Sequence, residues 1–175
     1  MSELKEYLIS YKSLEYGEHT YSYKIKDSFF EEDDDTEIIG ANLDVEVLFN
    51  KKNTHIEIRF DIKGTVVLNC DRCLEAFDND LEIQQTIYVK FGEGNSNEDE
   101  NLYILPESDN EINLAEFIDE LIVVSLPMRR VHKEDEDGNP TCPNNMLDYI
   151  KNIKNEGSEI DPRWNELNKL RDGTS

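Results

Sequence analysis

Apolar and polar residues alternate with period two across the middle of the chain. Leu43, Val45, Val47 and Phe49 alternate with Asn42, Asp44 and Glu46, and Ile56, Ile58, Phe60 and Ile62 alternate with Glu57, Arg59 and Asp61. Leu81, Ile83, Ile87, Val89 and Phe91 line one face of a third run. This pattern predicts antiparallel strands with one face buried. Asn50-Lys51-Lys52-Asn53 reads as the polar turn between the first two. Gly64 precedes Thr65-Val66-Val67-Leu68, which leads into Cys70. Near the start of the chain Tyr7, Ile9 and Tyr11 share a face, as do Tyr21, Tyr23 and Ile25. Tyr16-Gly17-Glu18 lies between them as a turn signal, so a hairpin is expected there.

The period changes beyond residue 112. Asn113 is a good N-cap, and Glu116 three residues on approaches a capping box. Leu114, Phe117, Ile118, Leu121 and Ile122 then follow at helical spacing. Val123 and Val124 widen the apolar stripe, which predicts a helix well buried on the sheet and ended by Pro127. Segment 133–145 is polar, carries Gly138 and Pro140, and reads as a loop. Further on, Asp161-Pro162 followed by Trp164, Leu167 and Leu170 predicts a short helix over 162–171, its proline at the first helical position. The run Glu31–Asp35 and segment 92–100 read as solvated acidic loops. The expected fold is α+β: a mainly antiparallel sheet with one long helix packed on it and a short C-terminal helix. The expected organisation is a single α+β domain over 1–142 and a tail over 143–175.

Composition narrows the function classes. A hydrophobic share of 37% over 175 residues suits one core. No apolar run approaches the roughly 18 residues that a membrane helix needs. Met1–Tyr7 has neither an apolar signal core nor an arginine-rich presequence, so the expected location is the cytoplasm. In that reducing compartment thiols or metal ligands are favoured over disulfides, and three cysteines cannot all pair within one chain. Eighteen basic residues against 40 acidic ones leave a net charge of −22. Wrapping of nucleic acid is disfavoured, because phosphate contacts need clustered Lys and Arg. A basic protein is the easier partner.

The chemistry concentrates at Cys70-Asp71-Arg72-Cys73. Two cysteines two residues apart, between stretches that read as strands, have the spacing of a metal knuckle. Cys142 and His132 are the candidates for the remaining two ligands of one structural zinc ion. Asn145 stands where a second C-x-x-C would need its last cysteine, which weights the reading toward a vestigial site of structural thiols. A redox role is disfavoured, since no helix begins at the knuckle and Asp71 opposes thiolate formation. Arg129 and Arg130, with Arg72 and Trp164, are the candidate partner-binding residues. No nucleophile elbow, Walker loop or dinucleotide fingerprint is present, and no catalytic residue is assigned.

These landmarks together resemble the YceD family. They are Cys70-Asp71-Arg72-Cys73-Leu74, the stretch from Glu111 to Pro127, Cys142-Pro143, and Asp161-Pro162-Arg163-Trp164 with Leu167 and Leu170. They fall in order within residues 40–171. The resemblance implies a role in accumulation of large-subunit ribosomal RNA, with no established catalysis. Many relatives have a cysteine-rich second half resembling a zinc ribbon; here His132 and Asn145 depart from it. Joined to the acidic balance, the resemblance points to a basic ribosomal protein or large-subunit assembly intermediate as partner, with ribosomal RNA affected indirectly. A zinc-knuckle regulatory module and, less favoured, an RNA-processing enzyme are the competing classes.

Overall fold

In the computed structural model, which describes residues 6–30, 36–92, 101–106, 108–139, 141–143 and 149, the alternating runs form three long neighbouring strands. β3 (Ile38–Lys51), β4 (Ile56–Asn69) and β5 (Ala76–Phe91) pair antiparallel. Val45 stands opposite Ile62 and Ile62 opposite Ile83; Phe49, Ile58 and Ile87 repeat the arrangement. A period of two keeps each strand's apolar set on one face, and these residues are buried. The other face is polar: Lys63 bridges to Asp61 and Glu82, and Lys24 pairs with Asp44. β2 (Gly17–Lys26) lies antiparallel against β3, and β6 (Leu102–Leu105) lies parallel to β5. The strand order is β2-β3-β4-β5-β6. A two-stranded sheet joins β1 (Leu8–Ile9) to β7 (Ile112–Asn113).

β7 runs directly into α1 (Leu114–Ser125). The Asn113 side chain accepts from the Ala115 N–H at 3.1 Å and donates to Glu116 at 2.9 Å, so the capping signal is real. Phe117 packs edge-on against Tyr103, with ring centroids 4.6 Å apart, and lies 6.3 Å from Phe60 of β4. The Tyr103 hydroxyl donates to Glu120 at 2.6 Å. Burial and that carboxylate push the Tyr103 phenol up to about 12.

The expected α+β fold with one long helix is corrected. The described residues are mostly β, with a five-stranded mixed sheet, a two-stranded sheet and a helix of twelve residues, or about three turns. Val123 and Val124 are 47% and 79% exposed rather than packed on the sheet. The helical period is the reason: the buried face runs through Leu114, Ile118 and Ile122, and Val123 and Val124 lie about 100° and 200° round the helix from Ile122, while Pro127 holds Leu126 in extended backbone and ends the helix there. The parallel β6 is four residues long, too short to show a period. The N-terminal hairpin is also corrected, since the two tyrosine-bearing runs do not pair with each other. After Ile9 the chain turns sharply, with the Tyr11 N–H on the Ile9 carbonyl, and β1 finds β7 instead. The faces were read correctly: Tyr7, Ile9 and Tyr11 are all buried. The short helix expected over 162–171, the run Glu31–Asp35 and most of the acidic loop over 92–100 lie outside the described residues.

Contacts divide the chain into two compact units: Met1–Asn69 with Ala76–Arg130, and Cys70–Glu75 with Val131–Ser175. The strands and α1 belong to the first. The knuckle belongs to the second.

Candidate metal centre

β4 and β5 stay paired up to Asn69 and Ala76, so the intervening residues 70–75 must reverse the chain in one tight loop. The Cys70 N–H bonds the Glu75 carbonyl at 3.0 Å and the Leu74 N–H bonds the Cys70 carbonyl at 2.8 Å. Leu74 takes a left-handed conformation, φ 63°, to complete the turn. With the chain curled this way, the N–H groups of Arg72 and Cys73 point at the Cys70 sulfur, and the His132 N–H joins them. Burial alone would push the Cys70 thiol up; those three donors and the His132 ring outweigh it and bring the thiol down to about 6. The Glu75 N–H serves Cys73, yet burial and the two neighbouring sulfurs push Cys73 up to about 11.

The downstream ligands are brought together by a second turn. Asp135 accepts the N–H groups of Asp137 at 3.0 Å and Asn139 at 2.7 Å, and Gly138 bonds back to the Asp135 carbonyl with φ 78°. The Thr141 hydroxyl donates to the Lys133 carbonyl at 2.6 Å. The loop thereby returns Cys142 to within 3.6 Å of His132 Nδ1.

All four side chains meet. The ligand atoms of Cys70, Cys73, His132 and Cys142 lie within 4.8 Å of one another. Tetrahedral zinc, with Zn–S about 2.3 Å and Zn–N about 2.0–2.1 Å, requires S···S edges of about 3.8 Å and S···N edges of about 3.5 Å. The Cys70 and Cys142 sulfurs are 3.8 Å apart, Cys73 Sγ is 3.5 Å from His132 Nδ1, and Cys142 Sγ is 3.6 Å from the same nitrogen. The three cysteines are buried and free of disulfides. Thiolate sulfurs with backbone N–H donors, crowded around a point at metal-ligand spacing, fit a soft divalent ion, and these four residues would hold it.

Residues 58–171 match the family described as "Large ribosomal RNA subunit accumulation protein YceD". That span covers more than half of the 175 residues. The chain belongs to the YceD family. Membership ties this YceD protein to accumulation of large-subunit ribosomal RNA, and the matched span includes the entire four-residue cluster. No curated protein and no solved structure matches the chain.

The other residues singled out in the sequence are scattered. Arg72 is half-buried, with Nη1 4.0 Å from the Cys142 sulfur. Arg130 is half-buried and pairs with Glu37, whose carboxyl it holds below the usual range. Arg129 is exposed, and Trp164 lies outside the described residues. Sequence reasoning missed the backbone donors around Cys70 and the Asp135 turn. Only the Asp-Gly-Asn-Pro run over 137–140 signalled the second.

Proposed function

We propose that this YceD protein is a non-catalytic binding factor in large-subunit maturation that engages a basic ribosomal protein or assembly intermediate, with one zinc ion holding its second unit together. The observation that carries the reading is the closed Cys3His donor set. Four protein ligands leave no position for water or substrate, which is the structural rather than the catalytic kind of site. When bound, zinc supplies folding free energy and cross-links the knuckle to the loop that follows Val131.

Charge supports a protein partner over naked RNA. Lys24, Lys52, Lys63 and Arg130 each lie against a carboxylate, which leaves them less free to take phosphates. With a net charge of −22, exposed attraction to a basic surface is strong at low salt and screened at high salt. Ribosomal RNA levels then depend on the protein indirectly, because RNA that fails to assemble is degraded.

The test is affinity purification from growing cells, with RNA and protein both identified before and after ribonuclease. Association with a basic large-subunit protein that survives ribonuclease and weakens with salt is expected. Tight binding to naked ribosomal RNA with no protein required contradicts the partner. Stoichiometric zinc without any ribosomal association would favour a zinc-knuckle regulator instead.

A further inference from the structure

We propose that Arg72 is the counter-cation of the metal centre, its guanidinium offsetting the negative charge that three thiolates and a neutral imidazole leave around a divalent ion. The inference rests on the zinc reading above. Three thiolates outweigh a dication, so the loaded cluster carries one net negative charge. That charge sits among buried sulfurs, where solvent screens it poorly. The flanking residues aggravate it: Asp71 and Glu75 are both acidic, in a chain of net charge −22.

Arg72 is placed to answer this. Its side chain reaches from the knuckle to the downstream loop, with Nη1 4.0 Å from the Cys142 sulfur. That sulfur lies 3.8 Å from the Cys70 sulfur, so the guanidinium stands at a pair of ligands that are 72 positions apart in the chain. A guanidinium stays charged at every relevant pH and is weakly hydrated, so half-burial suits it. Arg72 is therefore a positioning residue that the C-x-x-C carries between its own cysteines.

The full chain, purified without a polyhistidine tag and stripped of metal, is reloaded with zinc alone under reducing conditions. Its affinity is read by competition with a chromophoric chelator. Arg72→Leu, which removes charge and donors, weakens zinc about 10–100-fold. Arg72→Lys, which keeps the charge, stays within about threefold of the parent. With cobalt in place of zinc, Arg72→Leu shifts the sulfur-to-metal charge-transfer band, while Arg72→Lys leaves it near the parent position. Equal affinity and equal spectra for the parent and Arg72→Leu overturn the inference and leave the metal centre standing. So do Leu and Lys variants that are equally weak, which would make Arg72 a packing residue. A parent protein that takes up no zinc overturns the metal reading itself, and this inference with it.

Discussion

Leu74 occupies left-handed backbone while its side chain is 72% exposed, so little burial compensates the strain. Leu74→Gly is expected to raise the stability of the zinc-loaded protein by about 0.5–1 kcal/mol, read by chemical denaturation. A loss of that size would mean the leucine side chain has contacts that outweigh its backbone. Cys73 gives a second residue-level test. Burial and the neighbouring sulfurs hold it up near 11 in the folded knuckle, and an unfolded thiol also keeps its proton at neutral pH. Loading with zinc must drive its proton off, so affinity falls as the pH is lowered. Calorimetric titrations in buffers of different ionisation enthalpy should register proton release; uptake without it would mean that Cys73 is not a ligand. The members of the cluster were legible at this scale, since C-x-x-C spacing and a downstream Cys-Pro can be read from residues alone. The weight given to a vestigial site came from the sequence alone, and the geometry adds that the four candidate side chains do come together. That weight rested on Asn145 as a missing thiolate, whereas His132 Nδ1 stands at tetrahedral spacing from two of the thiols.

At the scale of elements, the strands were the most legible part. Period-two alternation in Leu43–Phe49 and Ile56–Ile62 is a direct image of one buried face, and the register shows the same residues opposed. Contacts of low periodicity were not legible: β6 is four residues, β7 is two, and the parallel pairing of Tyr88 with Leu102 leaves no mark in composition. Gly64 illustrates what a pattern conceals. It interrupts the apolar face of β4 yet the strand continues through it, at φ 146°, paired with Leu43 and Leu81. A Cβ there would lie 2.2 Å from the Asn42 carbonyl oxygen, which is backbone and cannot swing aside. Gly64→Ala should therefore cost about 2–4 kcal/mol, measured by urea denaturation. A change below about 0.5 kcal/mol would show that β3 and β4 separate there without consequence.

At the scale of the molecule, family membership ties the protein to accumulation of large-subunit ribosomal RNA, and the four candidate ligands all fall in the second unit. Among the described residues no helix is long and apolar enough to cross a membrane. A small metal-held unit gains its folding free energy from the ion, on the order of 10 kcal/mol for structural zinc. Removal of the metal by chelation should then unfold Cys70–Glu75 and the loop that carries His132 and Cys142, whereas the sheet retains its own buried core. The most direct test of the zinc centre is the metal content of the full chain, purified without a polyhistidine tag under reducing conditions and measured by elemental analysis. About one equivalent of zinc per chain, lost when Cys73 is changed to Ser, is the expected result. Less than about a tenth of an equivalent in the unaltered protein, with no uptake on adding zinc, would contradict it.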